Sequence, residues 1–354
     1  MTRKLLCLLL LLAFLLVGCA APVVETAVSA VGEKSTSWPT AAWRVSTPEE
    51  EGMDPAMLEH MVAEIERTGL QLDSALVIRN GAIVSETYFN GQKADSLHTM
   101  YSVTKSFTAT LLGIAMDQGK LDGVERKVSE VLPGRDYANP DPRKADMTVE
   151  DLLTMRSGLG WQEGDPAYRA MYMSRDWVQW VMDLPMERDP GEKFNYCSGC
   201  THVLSAILQE QVGMSAEAFG RKHLFGPLGI KNLRWEADAQ GISIGGWGLN
   251  ITARDMAKLG YLYLHNGEWD GKQVLSAEWV KAATTKRAEG GGRLDYAYQW
   301  WIDEQNDAFA ATGRDGQLIY VHPETGIIVV FTARGVDHDV ELAIIDTYVL
   351  PAVR

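Results

Sequence analysis

Residues 102–119 read SVTKSFTATLLGIAMDQG. Phe107, Leu111, Leu112, Ile114 and Ala115 spread apolar side chains around most of this stretch, which predicts a buried helix over about Ser102 to Gln118 with Gly119 ending it. Just upstream, Leu76–Ile78 and Ala82–Phe89 flank Asn80-Gly81. That dipeptide suits the positive φ positions of a type I′ turn, so a β-hairpin feeds the helix. An amphipathic helix over about Pro55 to Glu66 precedes the hairpin.

The middle of the chain reads as helices and loops. Thr148 is placed to cap a helix over Val149–Met155 and Ser174 one over Arg175–Asp183. Further helices are expected over about Cys200–Gln211, Ser215–Phe225 and, capped by Thr252 and Ser276, over Ala253–Leu264 and the residues after 276. Beyond Gly290-Gly291-Gly292 the pattern turns to strands at Tyr298–Ile302, Ala308–Ala311, Leu318–Val321 and Ile327–Ala333, then a last helix over about Val340–Leu350. Strands at both ends with helices between them predict an α/β (α+β) domain: a mixed, mainly antiparallel sheet flanked by helices, with an inserted all-α subdomain. The boundaries drawn are 45–354 for the domain, 45–130 and 255–354 for its α/β part, and 131–254 for the insertion.

Ser102 and Lys105 stand at i and i+3, on one face of the first helical turn. A serine hydroxyl is a weak nucleophile until a neighbouring base takes its proton. A desolvated lysine near other positive charge has its pKa lowered toward that task. Backbone N–H groups at a helix start are suited to holding a developing oxyanion. About one Ser-x-x-Lys arises by chance in a chain this long, and its ordinary reading is a serine cap beside an exposed lysine. The buried helix that follows argues against that reading.

The composition, 46% hydrophobic and 23% charged, is that of a globular chain. A net charge of −14 without a Lys/Arg stripe argues against nucleic-acid binding, which rests on phosphate neutralisation. Arg3-Lys4 before an apolar run from Leu5 to Val17 has the shape of an export signal, shorter than a membrane span. Leu16-Val17-Gly18-Cys19 resembles the lipobox of bacterial lipoproteins. The resemblance implies a signal over 1–18, lipid attachment at Cys19, and an extracytoplasmic protein that meets the membrane only through that anchor. Residues 19–44, rich in small residues, read as a tether. Cys7 leaves with the signal. Cys197-x-x-Cys200 lacks the partners of a zinc site, so it is either a small disulfide or a pair of buried thiols. The seven histidines show no metal spacing, no nucleotide-binding glycine loop appears, and no cofactor or metal is expected.

In combination these stretches resemble the serine β-lactamase and penicillin-binding-protein family, over about residues 45 to 350, and within it the class C-like branch of esterases, D-amino-acid peptidases and 6-aminohexanoate-dimer hydrolases. The stretches are Ser102-x-x-Lys105, Leu152-Leu153-Thr154-Met155-Arg156-Ser157-Gly158-Leu159, Pro190-Gly191-Glu192-Lys193-Phe194-Asn195-Tyr196, Thr252-Ala253-Arg254-Asp255-Met256-Ala257 and Tyr298-Gln299-Trp300-Trp301. The resemblance implies a β-lactamase/transpeptidase-like fold, Ser102 as nucleophile, and Lys105 with Tyr196 as proton managers. Two departures stand out. Tyr196-Cys197-Ser198 occupies the family's Tyr-x-Asn, so Ser198 offers a hydroxyl where an amide would meet substrate. Ala311-Thr312-Gly313-Arg314 occupies Lys-Thr-Gly and lacks its cation. The Gly-x-x-Gly-Gln pattern of residues 313–317 is the esterase and aminohexanoate-hydrolase one. It implies an oxyanion hole from the backbone N–H groups of Ser102 and Arg314, with Gly313 allowing close approach. The Arg314 side chain either turns inward or is solvated.

The expected activity is hydrolysis of a small ester or amide through an acyl-enzyme on Ser102. The competing expectations are a β-lactamase or D,D-peptidase acting on β-lactams or cell-wall peptides, and a non-catalytic receptor for cell-wall fragments. Glu163 and Asp165 are read as solvated loop acids or as attraction for a cationic substrate group. Trp161, Trp177, Trp180, Trp247, Trp300 and Trp301 are read as core residues or the lining of an apolar acyl pocket.

Overall fold

The computed structural model describes residues 38–354, so the expected signal, Cys7, Cys19 and most of the tether lie outside the described residues. The main sheet has eight strands: β1 Arg44–Val45, β2 Leu72–Arg79, β3 Ala82–Tyr88, β4 Asp295–Tyr296, β5 Trp301–Asp303, β6 Ala308–Gly313, β7 Gln317–His322 and β8 Ile327–Ala333. Their spatial order is β1-β3-β2-β8-β7-β6-β5-β4. The β1–β3 contact is parallel and every other neighbour is antiparallel. Early and late segments meet where β2 pairs with β8, Val77 opposite Val329.

Asn80 and Gly81 both take positive φ, 49° and 75°, the geometry that joins twisted strands in two residues. Along each central strand side chains alternate between two cores. Leu76, Ile78, Ile319, Val321, Ile328 and Val330 face one, and Val77, Tyr320, Val329 and Phe331 the other. Helix α1, Pro55–Thr68, covers the second face with Leu58, Met61 and Ile65. Helix α2, Thr104–Asp117, lies in the first core, and every residue from Thr104 to Ala115 is buried. Helix α3, Ser198–Val212, packs beside it. Helix α4, Ala253–Leu264, starts as its sequence implies, with Thr252 Oγ1 accepting the Asp255 N–H at 3.1 Å. A last helix, α5, spans His338–Ile344 and runs on as a wider turn to Val349.

Several expected elements shift, each for a specific contact. The helix expected after Ser174 begins at Trp177, because Asp176 supplies the cap, its carboxylate accepting the Gln179 N–H at 2.8 Å. The Ser174 hydroxyl instead donates to the Met171 carbonyl at 2.7 Å. Helix α3 starts two residues before Cys200, with Cys197 in the cap position. The strand expected over Tyr298–Ile302 is confined to Trp301–Asp303, since Gln299 sits at φ 60° and its amide reaches the Leu153 carbonyl at 2.8 Å. Helix α2 is preceded by a tight 3₁₀ turn over Tyr101–Val103, so Ser102 stands just before the α-helix.

Candidate active site

Ser102 lies in that turn and lines a cleft of about 420 Å³. Tyr101 before it has φ 43°, a left-handed conformation that non-glycine residues enter only when their surroundings enforce it. The enforcement is visible. The Met100 N–H donates to the Leu249 carbonyl at 2.9 Å, and Thr104 Oγ1 accepts the Leu249 N–H at 3.2 Å. One turn on, the Ser106 hydroxyl donates to the Gln299 carbonyl at 2.7 Å. The Ser102 segment is pinned on both sides.

Lys105 is 1% exposed, and its Nζ meets three oxygens: Ser102 Oγ at 3.0 Å, Ser198 Oγ at 2.9 Å and the Gly246 carbonyl at 2.8 Å. An ammonium has three N–H donors, and these contacts match that number. Burial lowers the Lys105 pKa to about 8; Arg314's charge pushes the same way and Glu163 opposes it. The neutral amine keeps two N–H donors. With Ser198 and Gly246 holding those, its lone pair is left to face Ser102.

Ser198 is confined to the acceptor role toward Lys105 because its own O–H donates to Glu163 Oε1 at 2.7 Å. Glu163 Oε2 accepts the Ser198 backbone N–H at 3.1 Å and the Trp161 indole N–H at 2.6 Å, and the Tyr168 hydroxyl donates to Oε1. Glu163 is therefore a structural partner of the Ser–Lys pair rather than a freely solvated loop acid. The sequence gives one weak signal for it, an acid soon after the Ser157-Gly158 turn.

Tyr196 is half-buried in the cleft wall, with Lys105 Nζ 4.9 Å from its ring centroid and Trp301 stacked on it at 5.8 Å. Burial pushes its phenol well above the ordinary value, the Ser102 hydroxyl pulling the other way. Such a phenol stays protonated near neutral pH, which suits a proton donor to a leaving group. The Cys197 and Cys200 sulfurs are joined in a disulfide immediately after it.

β6 forms the opposite wall. A Cβ on Gly313 would stand 2.4 Å from the Met100 carbonyl and 3.1 Å from the Ser102 backbone N, so only glycine lets this strand approach Ser102 so closely. Ala311 is buried in the core and brings no cation to the cleft. The exposed Arg314 lines the rim with its guanidinium 5.9 Å from the Tyr101 ring, and no carboxylate among the described residues forms an ion pair with it. The remaining wall is aromatic. Tyr168 meets Trp247 edge-to-face at 5.1 Å, and Trp177 stacks on Trp247 at 6.1 Å. Of the six tryptophans read from the sequence, Trp247 lines the cleft, whereas Trp300 is wholly buried and Trp161 sits beneath Glu163.

The family model described as beta-lactamase matches residues 56–353. The chain belongs to the beta-lactamase family. Among its curated relatives, a 6-aminohexanoate-dimer hydrolase of Paenarthrobacter ureafaciens is 26% identical, covering 75% of this chain and 74% of the relative. Penicillin-binding protein 4 of Amycolatopsis lactamdurans is 27% identical over 68% of this chain and 73% of its own length. A family VIII carboxylesterase of known structure has the same fold, with a TM-score of 0.70 at 15% identity, covering 86% of this chain and 98% of the other. This beta-lactamase family member thus stands among serine hydrolases whose named members include a 6-aminohexanoate-dimer hydrolase, a carboxylesterase and a penicillin-binding protein.

Proposed function

We propose that the protein hydrolyses a small ester or amide through an acyl-enzyme on Ser102. The observation that carries this reading is Lys105, buried, lowered in pKa and 3.0 Å from Ser102 Oγ, with its other two hydrogen-bond directions occupied. Neutral Lys105 takes the Ser102 proton as Oγ bonds to the substrate carbonyl carbon. The carbonyl oxygen gains charge and is held by the backbone N–H groups of Ser102 and Arg314. Collapse breaks the bond to the leaving group, which receives its proton from Tyr196, and the Lys105 ammonium restores the phenol. Water then attacks the acyl-enzyme, giving up a proton to the same apparatus, and Ser102 is released.

Ala311 supports an ester or amide over a β-lactam or cell-wall peptide, because a substrate carboxylate finds no buried cation on β6. The aromatic wall of Tyr168 and Trp247 supports an apolar acyl or leaving group. We further propose that the chain is exported and held at a bacterial membrane by lipid on Cys19, consistent with a disulfide in its catalytic segment.

Labelling with a fluorophosphonate and with a fluorescent penicillin, mapped by mass spectrometry, tests the reading. Phosphonate on Ser102 without penicillin supports an esterase or amidase. Penicillin on Ser102 with nitrocefin turnover favours the β-lactamase or D,D-peptidase reading, and no label in folded protein favours a binding receptor.

A further inference from the structure

We propose that the Cys197–Cys200 disulfide is a positioning element of the catalytic apparatus, a covalent brace that holds Tyr196 and Ser198 in place against Ser102 and Lys105. The inference rests on the hydrolase reading above.

The bond lies where the chain passes from an extended segment into α3. Cys197 is extended, at φ −132° and ψ 95°, and its neighbours on either side are Tyr196 in the cleft wall and Ser198 beneath Lys105. Helix starts are ordinarily closed by a Ser, Thr, Asp or Asn oxygen accepting an N–H two or three residues on. Here the capping side chain is the Cys197 sulfur, which takes the Cys200 N–H at 3.0 Å, while Glu163 Oε2 accepts the Ser198 N–H at 3.1 Å. Sulfur is a weak acceptor, so this cap alone holds the first turn loosely. The covalent link across the same two residues closes the turn instead.

The brace is also anchored from outside. The Cys197 N–H points at Met155 Sδ at 3.2 Å, the Asn195 N–H donates to the Met155 carbonyl at 2.7 Å, and Ser157 Oγ lies 3.4 Å from Cys200 Sγ. Met155 itself is held at φ 58°. Between the cysteines, Gly199 packs so closely that a Cβ there would stand 2.6 Å from the Trp161 ring. Trp161 is the residue whose indole N–H holds Glu163. The bond therefore sits at the point where the Tyr196 segment, the Ser198–Glu163 contact and the 155–161 turn converge. Released, the first turn of α3 would move Ser198 away from both Glu163 and Lys105, and the amine would lose the acceptor that aims its lone pair.

The test compares wild-type protein with Cys197→Ser/Cys200→Ser, which keeps a hydroxyl at the cap, and Cys197→Ala/Cys200→Ala, which keeps none. Steady-state turnover of p-nitrophenyl acetate gives kcat and KM, and fluorophosphonate labelling gives the acylation rate at Ser102. Displacing a catalytic group by about 1 Å is worth up to about 100-fold, so both folded variants are expected to lose about 10- to 100-fold in kcat with KM within about twofold. The serine pair is expected to melt closer to wild type than the alanine pair and still show the kcat loss, which separates positioning from stability. A folded serine pair with wild-type kcat and labelling rate would overturn the brace. If neither variant folds, wild-type chain is refolded with its thiols kept reduced by a phosphine, which becomes the phosphine oxide as water supplies its oxygen and the two thiol protons. Activity that is low with both thiols free and returns on reoxidation supports the proposal, and full activity with both thiols free sinks it. Wild-type protein that never labels at Ser102 defeats the hydrolase reading and the brace together, whereas wild-type labelling with unaffected variants defeats the brace alone.

Discussion

Ser198 donates its hydroxyl hydrogen to Glu163 at 2.7 Å while accepting from Lys105 at 2.9 Å. A single hydroxyl thereby links a cleft carboxylate to the buried amine, and its polarity is fixed by the carboxylate, which only accepts. Where the family carries an amide, this chain has built a relay that orients a lysine.

Removing the Ser198 hydroxyl leaves Lys105 with one fixed acceptor and Glu163 with one donor fewer. Ser198→Ala is expected to lower kcat by about 10- to 100-fold, with KM changed far less, because the lost contact aims the proposed base rather than binding substrate. Steady-state kinetics on p-nitrophenyl esters check the split.

The pH profile should report Lys105. On the proposed mechanism the amine is the active form, so kcat/KM is expected to rise with pH along a limb near 8, the value to which burial lowers this group. Glu163 raises the Lys105 pKa and Arg314 lowers it, so their removal has opposite signs. Glu163→Gln is expected to move the limb to lower pH and Arg314→Gln to higher pH, measured by titrating kcat/KM in constant-ionic-strength buffers.

Gly313→Ala tests the opposite wall. Its methyl would fall 2.4 Å from the Met100 carbonyl and must push β6 away from Ser102. Loss of one oxyanion donor is worth about 100- to 1,000-fold in kcat, so a loss of that order is expected, with folding checked by circular dichroism.

Trp247 contributes to the wall through Tyr168 and Trp177. Trp247→Ala is expected to raise KM for esters of large apolar acids several-fold while leaving acetate nearly unchanged, because only the former reach that surface. Equal KM for both classes in the variant would remove the wall from the account of specificity.

The sheet's frame was legible because its signals are local. Asn80-Gly81 encodes the positive φ pair of the hairpin, Thr252 caps α4 at the expected residue, and the unbroken apolar run Ile327–Val330 could hardly lie outside a buried central strand. The misplaced elements are those set by side-chain contacts that spacing does not encode. Gln299 leaves the strand because Leu153, far back in the chain, accepts its amide, and Asp176 caps the helix because the Ser174 hydroxyl is taken by the Met171 carbonyl. The helix Asp165–Met173 was not foreseen, since Gly164 before it has no side chain with which to announce a start.

The candidate site divides the same way. Ser102 and Lys105 are one helical turn apart, so their meeting follows from spacing. Glu163 and Ser198 are 35 residues apart, and only the folded chain shows that one orients the other. The sequence left open whether Arg314 turns inward; in the fold it lies at the cleft rim beside Tyr101.

Activation of Ser102 by buried Lys105 is the step on which the proposed hydrolysis rests. Its most direct test is the rate of fluorophosphonate acylation at Ser102, followed by mass spectrometry across pH for wild type, Ser102→Ala and Lys105→Met. Wild-type labelling is expected to rise along a limb near pH 8, with none at any other serine in Ser102→Ala and a rate reduced by about 1,000-fold without a limb in folded Lys105→Met. Wild-type labelling that is flat with pH, or undiminished in Lys105→Met, would contradict that activation.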